Sequence, residues 1–188
     1  MALDRFETLE DVNAWCVQQL ERAAVDKNSS FRWPVLCTAG PAPQGRVVVL
    51  RQFNRTDCSA LFYTDRRSGK CNALSLDAAA ECVFFDAKRM VQIRASGSIE
   101  LVTDGALKAD HFRRIKERVW QDYGSERGPG TITDIDEPIL CTEEAAAHHF
   151  CVLKLSIEII DWLCLGRGEH KRARLDWSGK AKHCWLVP

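Results

Sequence analysis

Arg46-Val47-Val48-Val49-Leu50-Arg51 is an apolar run with a guanidinium at each end. β-Branched residues favour strands, so the run reads as a strand carrying a cation at both termini. The pattern recurs downstream. Phe62-Tyr63-Thr64-Asp65, Ser68-Gly69-Lys70 and Gln92-Ile93-Arg94-Ala95-Ser96-Gly97 each bring hydroxyls, cations or an amide to an apolar stretch. Trp162 and Arg172, with His170 between them, add to it further along. Strands that end in such groups are what a β-barrel needs to hold a flat, apolar ligand that carries a phosphate.

Working outward, Trp33–Thr38, Arg46–Phe53 and Ser59–Thr64 read as strands, with a turn cluster at Gly40–Gly45 and a loop at 54–58. Asp65–Ser68 turns the chain into a short helix reaching Ala78, and Ala80–Phe85 is a fourth strand. Val91–Val102 is a long strand interrupted by Gly97, where an isolated glycine signals a bulge or a close backbone approach. Cys151–Leu165 alternates Leu153, Leu155, Ile157 and Ile159 against Lys154, Ser156 and Glu158. His170–Leu175 and His183–Val187 follow as closing strands.

Helical periodicity covers 4–26, where Phe6, Leu9, Val12, Cys16, Leu20 and Ala23 recur at three- and four-residue steps. Asp104 is placed to cap a helix running to about Gln121, and Glu143–His149 makes a short one. The segment 123–138, rich in Gly, Pro and Asp, is expected as a loop over the site. The whole is a single, mainly β (α+β) domain over 1–188. It comprises an N-terminal helix at 1–28, barrel strands at 33–102, a helix at 104–122 and closing strands at 151–188. Roughly six to eight antiparallel strands with accessory helices are expected to form a barrel.

Lys plus Arg and Asp plus Glu stand at 26 each, so no bulk charge draws the chain to nucleic acid or an anionic membrane. The basic stretch Arg113–Arg118 is interleaved with Glu117 and reads as a solvated helix face. No apolar run approaches the roughly 20 residues that span a bilayer. The charged start Met1–Glu7 lacks the apolar core of a secretory signal. A cytoplasmic protein without nucleic-acid or membrane partners is expected. The nine cysteines form no C-x-x-C pair and read as free, buried thiols acting as small hydrophobes. Adjacent His148 and His149 diverge on a helix and are read as structural, so no metal is expected.

In this order and spacing, the motifs resemble the pyridoxamine 5'-phosphate oxidase-related family of FMN-binding split β-barrels, in the branch whose substrates are unassigned. The similarity runs from about Trp33 to Pro188. It implies FMN as cofactor, held across a homodimer interface by Arg46, Arg51, Tyr63, Thr64, Ser68, Lys70, Gln92, Trp162 and Arg172. One departure stands out. The family often carries Ser-Arg-Lys where this chain has Ser68-Gly69-Lys70, so a phosphate-side guanidinium is missing unless Arg66 or Arg67 reaches in.

FMN needs cations for a phosphate dianion at one end and an apolar slot for its ring at the other. Arg46, Ser68 and Lys70 suit the phosphate, with charge-assisted hydrogen bonds worth about 1.5–3 kcal/mol each. Val47–Leu50 can lie beside the ring. At ~3.3 Å per residue, Arg46 and Arg51 stand roughly 16 Å apart on a strand and face opposite sides. That assigns Arg46 to the phosphate and Arg51 to the ring or substrate end. Gln92 has the donor and acceptor for a polar flavin edge, Trp162 offers an aromatic wall, and His170 with Arg172 would face a substrate. Each alone has a plainer reading: solvated cations at strand and helix ends, a surface amide, a core tryptophan and, for Tyr63, a rim residue.

The expected function is FMN-dependent oxidoreduction of a small organic molecule, anionic if Arg51 and His170 bind it. No side chain stands out as an obligatory acid or base. Oxidation of pyridoxamine 5'-phosphate itself is not expected. The family's oxidase presents Tyr, Arg and Ser at four-residue steps on one helix, where this chain has His111, Ile115 and Val119. A further substrate-side Arg of that enzyme corresponds to Gly168. Two alternatives remain: a flavin carrier without turnover, and a dimeric split barrel that has lost FMN.

Overall fold

The computed structural model describes residues 6–39, 42–134, 140–166 and 169–188. Gly168 and the end of the 123–138 loop lie outside the described residues. The strands are β1 (Val35–Thr38), β2 (Gln44–Val47), β3 (Gln52–Asn54), β4 (Ser59–Asp65), β5 (Ala79–Asp86), β6 (Val91–Val102), β7 (Phe150–Cys164), β8 (Lys171–Asp176) and β9 (Cys184–Leu186). The helices are α1 (Leu9–Val25), α2 (Gly69–Leu76), α3 (Gly105–Arg113) and α4 (Glu143–His149).

Thr8 opens α1 with a reciprocal pair of bonds: its hydroxyl accepts from the Asp11 amide, and the Asp11 carboxylate accepts from its own. The buried stripe Val12, Cys16, Leu20 and Ala23 then lays the helix on the sheet. Trp15 packs edge-on to Phe6 and Phe31 beside it.

All strand pairs are antiparallel, in the order β2-β1-β5-β6-β7-β4-β3, with β8 on β7 and β9 on β8. β7 is the spine. Along one edge its first half pairs with β4 and its second half with β8, while β6 runs the length of the other edge. That change of partner splits the sheet. Gly97 lies at the expected irregularity: the β6–β7 register shifts between Ser96 and Gly97, and a Cβ there would collide with the Ser156 carbonyl.

The run 46–51 is not one strand. β2 ends at Val47, and the amides of Val48 and Leu50 bond the carbonyls of Pro34 and Arg32. The Arg51 amide then bonds the Leu61 carbonyl and leads into β3. The segment crosses from β1 to β4 without a continuous ladder, so the sheet does not close into a barrel. This division also makes nine strands among the described residues rather than eight.

The helix expected over 104–121 stops at Arg113. The amides of Arg114 and Ile115 bond three residues back, and the chain resumes as a 3-10 turn at Glu117–Asp122. The break lets Phe112, Ile115, Val119 and Trp120 turn onto Phe150 and Val152, a small apolar cluster apart from the main core. Asp104 holds the N-cap position without a side-chain capping bond. No helix among the described residues is long and apolar enough to cross a membrane.

Candidate cofactor site

Three groups of polar residues arise from this topology. The first forms where β4 turns into α2. Asp65 accepts the Arg67 amide and both sides of its guanidinium, at 3.0 Å from Nε and 2.7 Å from Nη2, which fixes the turn. Arg67 also donates to the Glu126 carbonyl. It is therefore engaged away from the position that Gly69 leaves without a cation, and Arg66 stays exposed. Ser68 holds the N-cap position of α2 but makes no capping bond; its hydroxyl lies 3.3 Å from Thr64 Oγ1 and donates to Cys71 Sγ at 3.5 Å. Lys70 Nζ donates to Thr64 Oγ1 at 2.8 Å.

Arg46 joins this group from β2, donating to Thr38 Oγ1 at 2.8 Å, Gln44 Oε1 at 2.8 Å and the Leu36 carbonyl at 3.3 Å. Every one of these acceptors is neutral. Burial pushes the Lys70 ammonium below its ordinary value, and the Arg46 guanidinium pushes the same way. Neither cation is paired with a carboxylate among the described residues. The start of α2 has no side-chain cap, and nothing stands within 4 Å of where a Gly69 side chain would begin. Two close, uncompensated cations beside a helix start fit a phosphate.

The second group lies on the other side of β4. Tyr63 is one residue from Thr64 and so projects oppositely. Its hydroxyl is 2.7 Å from Nδ1 of His111 on α3, and the two rings meet edge-on. The Arg51 guanidinium sits 5.0 Å above the Tyr63 ring, with its Nε buried and without an acceptor. Burial, with Arg114 nearby, holds the His111 imidazole below its ordinary value.

The third group faces away from the core. Arg46 pairs with Leu36, Leu36 with Cys82, Cys82 with Ala95 and Ala95 with Ile160. Directly paired residues project to one side, and the last four are fully buried. Arg46 thus stands on the core side. Gln92 pairs with Phe85 and Leu163, and Leu163 with Arg172. This row is offset by odd steps and faces outward, where Phe85 is 47% exposed. Arg172 donates to Asp161 from Nε at 3.0 Å and from Nη2 at 2.8 Å, and Arg94 Nη2 donates to the same carboxylate at 2.7 Å. Burial alone would raise the Asp161 carboxyl, but these bonds overcome it and hold it low. His170 is exposed just before β8.

Trp162 departs from expectation. One residue from Leu163, it turns to the core side, is fully buried and packs edge-on to Phe6 at 5.0 Å. A ring with no exposed surface offers no wall to a ligand. The plainer reading of Trp162 is the one its parity enforces.

Comparison with known proteins fits this arrangement. Residues 13–103 match the family model described as pyridoxamine 5'-phosphate oxidase, FMN-binding domain. That is the family the sequence resembles. FMN is the cofactor that a pyridoxamine 5'-phosphate oxidase-type domain indicates. Over 105 residues the chain is 31% identical to the pyridoxine/pyridoxamine 5'-phosphate oxidase of Psychrobacter cryohalolentis, covering 56% of this chain and 46% of that protein. The match thus spans less than half of that relative. Two solved structures share the split-barrel fold over 100% of this chain and 98% of theirs. One is a pyridoxamine 5'-phosphate oxidase-related, FMN-binding protein of Nostoc punctiforme (21% identity, TM-score 0.73). The other is PhzG of Burkholderia lata, solved with tetrahydrophenazine-1-carboxylic acid (16% identity, TM-score 0.76).

Three features escaped sequence reasoning. Asp161 is adjacent to Trp162, and only the register between β7 and β8 shows that Arg172 reaches it. His111 gave no signal until α3 laid it on Tyr63. Cys71 and Cys151 are separated by eighty residues yet share the floor of the first group.

Proposed function

We propose that the protein is a homodimeric FMN-dependent oxidoreductase acting on a small organic molecule, with the flavin between subunits. The observation that carries this is the division of the site. Arg46, Thr64, Ser68 and Lys70 lie on the core side at the α2 end, whereas Gln92 and Arg172 face outward. A ligand reaching both sets needs the outward face of a second copy. That face carries exposed Phe85, Val47 and Val35, which a partner would cover. The α2 end would hold the phosphate, and Gln92 and Arg172 would donate to the ring edge. Bound flavin supplies the acceptor for a hydride equivalent; this chain's residues supply charge, orientation and exclusion of water.

Pyridoxamine 5'-phosphate is not the proposed substrate. His111 is engaged by Tyr63, and Ile115 and Val119, beyond the end of α3, pack in the apolar cluster, so these three positions offer no second phosphate grip. The substrate side is assigned to Arg51 and His170. The test is an absorbance spectrum of the purified protein with light scattering. A yellow dimer with one FMN per chain is expected; a colourless monomer that takes up no FMN overturns the reading. Reduction by NAD(P)H and reoxidation by an acceptor would separate the enzyme from a carrier that is inert to every donor.

A further inference from the structure

Two of the nine cysteines do more than fill space. Cys71 lies in the first turn of α2 and is 3% exposed; Cys151 lies in β7 and is fully buried. Both flank Thr64. Cys151 is its cross-strand partner, on the same side of the sheet. Cys71 Sγ lies 3.5 Å from Ser68 Oγ, which is itself 3.3 Å from Thr64 Oγ1, and 3.5 Å from the Asp65 carbonyl. The two thiols thus share Thr64 as a neighbour on the core side of the sheet. Gly69, two residues before Cys71, is exposed, and nothing stands within 4 Å of where its side chain would begin.

We propose that Cys71 and Cys151 are a hydroperoxide-reactive thiol pair that closes to a disulfide beneath Ser68 and Lys70 and so loosens the cofactor's phosphate grip. The loosening rests on the phosphate assignment above; the covalent bond does not. Cys71 is the attacking sulfur, because it is the less buried of the two and has the Ser68 hydroxyl and Lys70 ammonium beside it. The Cys151 thiol, Ser68 and Lys70 together lower the Cys71 thiol to about 7, while Cys151 is pushed up by its bond to Cys71 and by burial.

The Cys71 thiolate attacks one peroxide oxygen: an S–O bond forms, the O–O bond breaks, and the other oxygen leaves as water after protonation. Cys151 then attacks the sulfenic sulfur; the S–S bond forms, the S–O bond breaks, and a second water leaves. Two thiols are oxidised by two electrons, and one hydrogen peroxide is reduced to two waters. The bond requires sulfurs about 2.05 Å apart. Closure therefore draws the first turn of α2 toward β7 and takes from Ser68 the sulfur to which it donates.

The experiment treats the purified protein with hydrogen peroxide, blocks the remaining thiols, and maps peptides by mass spectrometry beside an FMN titration. Expected are a loss of about 2 Da, a Cys71–Cys151 linked peptide, and FMN affinity at least threefold weaker. Reductant should restore the affinity, and Cys151→Ala should abolish both changes. The proposal is overturned if both thiols stay free at doses that oxidise exposed Cys184. A linked peptide with unchanged affinity overturns the loosening. Lys70→Ala then shows whether the phosphate assignment falls too: if that variant binds FMN normally it does, and if it binds weakly the assignment stands alone.

Discussion

The two sides of the sheet use their cations differently. At the α2 end, Arg46 and Lys70 donate to Thr38, Gln44, Thr64 and a backbone carbonyl, all neutral. On the outward side, Arg94 and Arg172 converge on Asp161, with Glu81 at 4.0 Å from Arg94. A cation held by hydroxyls and carbonyls is oriented but keeps its charge. One held by a carboxylate is oriented and largely neutralised. The first arrangement is suited to gripping an anion, and the second to stiffening a surface while leaving some N–H donors free.

The contrast is broken first, and hardest, at Asp161. Its side chain is nearly buried between guanidiniums that are about one-third exposed. Removing it leaves two like charges facing each other. Asp161→Ala is expected to cost about 3 kcal/mol, the lower end for a broken buried pair, measured by urea unfolding of the apo protein. A loss below about 1 kcal/mol would place this network among ordinary surface pairs.

Arg46→Ala should do the reverse. FMN binding is expected to weaken at least tenfold, or about 1.4 kcal/mol, with apo stability nearly unchanged. Normal affinity in this variant removes the phosphate assignment. Arg172→Ala sharpens the comparison from the other side. Because Asp161 already occupies Nε and Nη2, its effect on FMN affinity should be smaller, about threefold. If it matches or exceeds the effect at Arg46, the neutralised side is gripping too and the distinction fails.

These assignments show where sequence reasoning reached and where it stopped. Strand alternation in Cys151–Leu165 and the isolated Gly97 are local signals, and local structure followed them. The division of Arg46–Arg51 was not legible, since the run is uniformly apolar and only its hydrogen-bond partners change. Distance along a strand and parity therefore did not apply to its two arginines as a pair. Tyr63 and Thr64 read as neighbours on one ligand, yet a strand turns them to α3 and α2 respectively. The motif order pointed to the family whose model matches, but parity and register decide which side chains share a space. Contacts such as Arg172–Asp161 and Tyr63–His111 depend on how distant elements dock, and no short window contains that.

Tyr63 and His111 supply the smallest and most discriminating effect. Their bond is neutral, like those at the α2 end, but His111 can titrate. Burial, then Arg114, disfavours its protonated form in the folded state. The unfolded chain takes up that proton near the ordinary value of about 6.5, whereas the folded chain waits for a lower pH. Between those two values the unfolded state binds more protons, so stability rises with pH and is lost as pH falls below about 6.5. His111→Gln retains a polar group opposite Tyr63 and removes the titration. The difference in unfolding free energy between wild type and variant, followed from pH 8 to 5 (roughly the range over which histidines titrate), should therefore slope. A flat difference would mean that the imidazole is accommodated equally well with its proton. The outward side of β4 would then tolerate added charge, as the Arg172 network does, rather than excluding it.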